Sequence, residues 1–362
     1  MIVVYADSQI LEIDWLPKLK FGNDYRVVND YETYCNAQAD YKFAFTTHRL
    51  HCDHDAYKTF EDKIRDLSYA SDLVFTFESE LHNYHWQMWD RCHRENVYWV
   101  LPGQVNDADA MNANIIFWGD WFKTTTHVYK ELPNKLAEIK YGGSKPRYFD
   151  ALLGVLKPHR DFVYNAVKSN GLEDKFIMTY GGAWNDNEFY ADKYFAWEPE
   201  CVPVGKIIGT ADWVDYCGIR TGLSRVIPIA VFNDTAHSVI AETDHDNTLS
   251  FFSEKTAKPM IARRAFIAFT GYKFLHNLQA QGFLTFCDVI DESYDLIKND
   301  QERYTAAFEQ VKRLCSMDQE YVYDTLKQVL EHNYNHIMNT DWTARAAQDI
   351  QKRLDMVLAQ AA

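Results

Sequence analysis

Chemistry concentrates first in the stretch SFFSEKTAKPMIARRAFIAFTG, Ser250 to Gly271, where Glu254 and Lys255 stand side by side behind Ser253. A serine there can cap a helix and place Glu254, Lys255 and Thr256 in its first turn, where open backbone N–H groups and the positive end of the helix dipole attract anions. Lys258 adds a further full charge. The preceding AETDHDNTLSFF supplies Glu242, Asp244, Asp246 and Asn247 in a polar loop that follows a strand. In parallel α/β sheets that is where ligands bind. Two readings fit the pattern: a pocket in which the acid holds a sugar hydroxyl and the base a phosphate, or a capped surface helix with an internal ion pair. A second element, LLGVLKPHRDFVYNAV, opens a helix on His159 and Arg160. Arginine suits bidentate phosphate contact, yet a cation opposes the helix dipole at that end. A bound phosphate or an interdomain salt bridge would each resolve the conflict.

These residues need a scaffold, and the chain alternates strand and helix signals. Apolar runs predict strands at 2–6, 41–47, 72–77, 97–103 and 114–119, with helices expected over 57–70 and 79–96. The stretch YKELPNKLAEIKYGGSKPR combines two prolines, Gly-Gly and several lysines, and reads as a linker. The pattern then restarts with a strand at 148–154, a helix at 159–171 and strands at 175–182, 237–243 and 265–271. Residues 119–130 and the Trp-rich region 183–225 read as irregular segments whose aromatics suit either core packing or sugar stacking. From Asn299 onward the pattern is helical. Such alternation implies parallel sheets covered on both faces. The expected fold is α/β, with two Rossmann-like domains facing across a cleft and a helical C-terminal segment. Its boundaries fall at 1–130, a linker at 131–147, a second domain at 148–338, and a C-terminal helix at 339–362 that packs back on the first domain.

The strand and Arg-initiated helix at 148–168, followed by HSVIAET…DNTLSFFSEKTAKPMIARRAFIAFTG, resembles the donor-binding domain of GT-B glycosyltransferases. The pattern is similar to α-1,3-fucosyltransferases and to phage-encoded glycosyltransferases, including those that act on modified DNA bases. The resemblance spans about 148–295 and implies a nucleotide-diphosphate sugar held in the C-terminal half. Glu254 would bond the ribose hydroxyls, and Lys255 and Arg160 would hold the diphosphate. His159, Lys258, Asn247 and Glu242 complete the expected nucleotide-sugar site. The resemblance implies no metal and no cofactor, since side chains and helix ends stabilise the leaving diphosphate. The usual aromatic-Val-Thr-Glu-Lys reads Phe-Phe-Ser-Glu-Lys here, which leaves the nucleotide open. An inverting transfer also needs a base for the acceptor hydroxyl. Asp107, Glu78 and Glu80 stand after strands of the first half, with Asp107 preferred and Glu78 second. The acceptor is expected to be a glycan or other hydroxyl, with a hydroxylated DNA base or a noncatalytic sugar-nucleotide-binding role as alternatives.

Composition narrows these classes. The chain has 362 residues, 37 basic against 52 acidic, for a net charge of −15. That opposes a broad nucleic-acid surface, which depends on Lys and Arg neutralising phosphates, but permits one local basic pocket. No uninterrupted apolar run reaches membrane-spanning length and no basic leader opens the sequence, so a cytoplasmic protein without membrane insertion is expected. The seven cysteines are scattered and odd in number, and read as reduced thiols. His48, His51 and His54, then His82, His85 and His93, have spacings that could bind zinc. They are read instead as surface or acceptor-loop histidines.

Overall fold

The computed structural model describes residues 1–7, 16–22, 24–47, 60–78, 94–106, 114–181, 193–207 and 212–359. The chain is α/β, built on parallel sheets, and divides into two compact units: Met1–Asp120 with Asp341–Ala362, and Trp121–Thr340.

The first unit contains β1 (Ile2–Ala6), β2 (Tyr25–Val28), β3 (Tyr41–Thr47), β4 (Leu73–Phe77), β5 (Val97–Leu101), the short β6 (Gly103–Val105) and β7 (Asn114–Phe117). Six strands form a sheet in the order β2-β1-β3-β4-β5-β7, every pair parallel. β1 and β4 are buried along their whole length. Strands covered on both faces must be apolar throughout, which is why these runs read as continuous rather than alternating. Helices α1 (Tyr31–Asn36) and α2 (Phe60–Ala70) follow β2 and β3. The C-terminal helix, Trp342–Ala359, places Ala346, Ala347, Ile350 and Leu354 in one core with Val4, Phe43, Phe75 and Trp118. Its spacing is that of a helical apolar stripe. Gly119 lets Trp342 close on the end of β7, since a Cβ there would stand 2.7 Å from the indole.

The second unit opens on α3 (Asp120–Glu131), in the stretch expected to be irregular. Three consecutive threonines weaken the local helix signal. Phe122, Thr125, Thr126 and Tyr129 are nonetheless buried at i, i+3, i+4 and i+7, so packing of one face decides the conformation. The expected linker, 131–147, carries α4 (Pro133–Ala137) and is fastened to its own unit. The Lys140 amide donates to the Asn233 side chain at 2.7 Å and the Lys145 amide to Gln319 at 2.6 Å.

Strands β8 (Arg147–Leu153) and β9 (Phe176–Tyr180) flank α5 (Pro158–Ser169). The Trp-rich region contains a small antiparallel sheet, β10 (Cys201–Pro203), β11 (Trp213–Tyr216) and β12 (Ile219–Gly222). Then come α6 (Ile229–Asp234), β13 (Thr235–Ala241), β14 (Leu249–Phe251), α7 (Glu254–Ile261), β15 (Phe266–Phe269) and α8 (Phe274–Ala280). The helices α9 (Asp300–Cys315) and α10 (Gln319–Asn339) complete the unit. The main sheet is parallel, in the order β15-β13-β8-β9. Successive strands β8 and β9 pair on one side and β13 adds on the other, so the direction of winding reverses between β8 and β13. That reversal marks the ligand-binding crevice of such sheets. No helix of the described residues is long and apolar enough to cross a membrane. The described cysteines are free thiols.

Candidate functional site

The carboxyl ends of β8 and β13 bring together most of the residues singled out in the sequence. Ser253 caps α7 as its sequence suggests, its hydroxyl accepting from the Lys255 amide at 3.2 Å. Glu242, just past β13, is fully buried and accepts from the Ser253 amide at 3.0 Å, from the Ser253 and Thr256 hydroxyls, and from the Thr243 amide at 3.0 Å. Both carboxylate oxygens are thereby occupied. In this structure Glu242, expected to contact a nucleotide sugar, fixes the start of α7 to the end of β13.

Arg160, expected to hold the diphosphate, is likewise engaged by the protein's own groups. Its guanidinium is 5% exposed and donates to the carbonyls of Val155 at 2.9 Å, Ala241 at 3.3 Å and Glu242 at 3.2 Å. Those carbonyl dipoles answer the conflict of a cation at a helix N-terminus, where phosphate or an interdomain salt bridge was expected. His159 is buried, bonds the Glu242 carbonyl through Nε2 at 2.9 Å and stacks on His245 with ring centroids 4.7 Å apart. Burial, then Arg160 and His245, push its pKa well below the usual histidine range, so the ring is neutral. Asn247 ties loops together: its amide donates to the Lys298 carbonyl and the Asp300 carboxylate, and accepts from the Tyr272 amide. Lys258 points inward, 3.2 Å from the Tyr194 hydroxyl, with its pKa lowered to about 8 by burial against the opposing pull of Glu254.

Glu254 and Lys255 remain the site's chemical pair, 2.7 Å apart. Burial would raise the Glu254 pKa, but Lys255 and Lys258 outweigh it and hold the carboxylate ionised. Lys255 is about a quarter exposed and also reaches the Thr243 hydroxyl at 3.0 Å. The Thr243 carbonyl accepts from Lys157, at the N-cap position of α5. Thr243 thus gathers two half-buried lysines from two helix starts. Lys157 was passed over in the sequence, although it directly precedes the Pro-His-Arg that was noticed.

The first unit carries its own acids at strand ends. Glu78 follows β4, is 2% exposed, and burial raises its pKa well above the usual carboxylate range while the Thr76 hydroxyl at 3.4 Å opposes. Asp7, not singled out in the sequence, lies where the first sheet's winding reverses between β1 and β3. It accepts from Thr46, Thr47, Tyr5 and Lys63. That saturation makes it an organiser of the strand ends. Asp107, Glu80 and the six noted histidines lie outside the described residues. Among the described residues, no group of three or more His, Cys, Asp or Glu could hold a metal ion.

No family model and no curated protein matches the chain. Among solved structures the chain is similar to one from a GtfA/B complex, at 12% identity and a TM-score of 0.39, over 87% of this chain and 57% of that one. The chain therefore spans less than two thirds of that structure's length, and the likeness is too slight to argue from.

Proposed function

We propose that the chain is a glycosyltransferase that takes its sugar from a nucleotide-diphosphate donor held by the second unit. The observation that carries the reading is the pair Lys157 and Lys255, brought to Thr243 at the winding reversal, beside Glu254 and the N-terminus of α7. In this reading the two lysines and the helix end hold the diphosphate and stabilise it as it leaves. Glu254, kept ionised, accepts from the ribose hydroxyls. Glu78, one of the acids that follow strands of the first unit, takes the proton of the acceptor hydroxyl. The transfer then inverts the anomeric carbon, as the acceptor oxygen bonds to it and the diphosphate departs with the bonding pair. The acceptor is a glycan or other small hydroxyl, because a charge of −15 opposes a long nucleic-acid track.

The test is a thermal-shift series with nucleoside diphosphates and their sugars. A ligand at about a hundred times its dissociation constant adds roughly 2.7 kcal/mol of apparent stability. One nucleotide should shift the wild type, and the shift should be lost in Lys157→Ala and Lys255→Ala. Glu78→Gln should keep that shift and lower transfer by about a hundredfold or more. A flat series across all nucleotides would remove the donor site and the reading with it.

A further inference from the structure

At the opposite end of the second unit's main sheet lies a cavity of about 30 Å³, lined among others by Lys140, Lys145, His237, Arg263, Arg264 and Tyr323. The seven residues of β13 separate it from the Thr243 cluster, about 20 Å at strand rise. It is therefore a different place from the proposed donor site, and its occupancy does not depend on that reading.

Several features of the cavity need a reason. Arg263 follows α7 with φ of 47°, in the left-handed region that usually takes glycine after a helix. A non-glycine residue there costs about 1–2 kcal/mol. The arginine is nonetheless held in place, 4.4 Å from the Tyr141 ring centroid, 3.5 Å from that of Tyr334, and 2.8 Å from Glu331. Arg264 beside it pairs with Asp150 at 2.8 Å. Lys140 and Lys145 form no ion pair with a described carboxylate, and the Lys145 ammonium lies 3.1 Å from the Lys140 carbonyl. Burial, Arg264 and Lys140 all lower the Lys145 pKa, with Asp234 opposing. Two mutually repelling lysines at a partly closed cavity cost stability unless something negative joins them. His237 completes the wall. It is 3% exposed, its Nε2 is buried without a hydrogen-bond partner, and burial followed by Arg264 lowers its pKa to about 3. A neutral imidazole keeps one N–H to donate, and orphaned buried nitrogens of this kind are uncommon.

We propose that this cavity is a binding site for a small oxyanion of the phosphate or sulfate class, held by Lys140, Lys145 and Arg263 with His237 as a neutral donor. The volume admits two or three waters or one such ion. The excess of positive charge, inside a chain that is strongly acidic overall, favours the ion. The phosphate could arrive free or as a monoester on a larger molecule, and the shared chemistry is the same.

Calorimetric titration with inorganic phosphate, in buffer held at constant ionic strength with sodium chloride, tests the site. Phosphate should bind saturably to the wild type, and one saturable site should remain in the Lys157→Ala/Lys255→Ala double variant. It should bind about tenfold or more weakly to Lys140→Ala/Lys145→Ala, as the loss of charge-assisted hydrogen bonds implies. Lys140 is exposed and Lys145 half-buried, and unchanged circular dichroism would show the fold intact. A phosphoserine peptide run in parallel separates the sources: equal binding points to a carried phosphate, and exclusion of the peptide to the free ion. Absence of saturable binding by both, or a loss confined to the Lys157/Lys255 variant, overturns the proposal.

Discussion

Arg160 and Arg264 sit at opposite ends of one four-stranded sheet, each almost wholly buried, and are neutralised differently. Arg160 braces the carboxyl ends of β8 and β13 through backbone carbonyls. Arg264 braces the amino ends through the carbonyls of Phe232, Thr235 and His237, the hydroxyls of Thr235 and Ser238, and the Asp150 carboxylate. Both serve as buried cross-links between strands, although one was expected to hold phosphate and the other attracted no attention. An arginine's role follows from the groups the fold turns toward it. At each end the neighbouring lysines, Lys157 and Lys255 or Lys140 and Lys145, are less enclosed.

The comparison makes the Asp150–Arg264 pair the first target. Asp150→Ala strands a guanidinium in the interior and should cost about 3–5 kcal/mol in urea unfolding. A cost under about 1 kcal/mol would mean that carbonyls suffice at both ends, and the distinction would fall.

Lys258 offers the next largest effect, through pH. Its folded pKa of about 8 lies below the ordinary lysine value of 10.5, so between those values the unfolded chain binds the extra proton. Stability from this group therefore rises with pH across that window, by about 3 kcal/mol in total. Lys258→Met should remove this component, visible as a flatter stability curve for the variant, so that its difference from wild type changes steadily from pH 8 to 10.5. Parallel curves would place the ammonium in contact with solvent.

Glu242→Gln sharpens the view of the carboxyl end at smaller cost. The amide presents an N–H₂ to donors that need an acceptor. The hydroxyls of Ser253 and Thr256 can turn, but the backbone amides cannot, so a loss of about 1–2 kcal/mol is expected. A larger loss in nucleotide affinity than in stability would return Glu242 to direct ligand contact.

Much of the scaffold was legible because parallel strands buried on both faces carry unbroken apolar runs. IVVYA and YKFAFTT coincide with β1 and β3, and the helical pattern after Asn299 became three helices. The Ser253 cap was equally local: a serine before Glu-Lys needs no distant partner to accept an amide. What escaped was weakly patterned. Helix α3 hid behind three threonines, β10 to β12 behind a scatter of aromatics, and β2 behind the mixed polarity of an exposed edge. Lys157 escaped because its partner, the Thr243 carbonyl, lies 86 residues away.

By itself the sequence determined the alternation of strand and helix, the parallel character of the sheets, and the helix start at Ser253. Each of these rests on interactions among near neighbours or on one side chain's burial preference. The tertiary structure alone decided which groups surround each charge. Distant amides and carbonyls closed on Glu242 and Arg160. Lys157 and Lys255 converged on Thr243 because β8 and β13, far apart in the chain, lie side by side. Solvation sets the fate of a charge, and solvation depends on what packs around it.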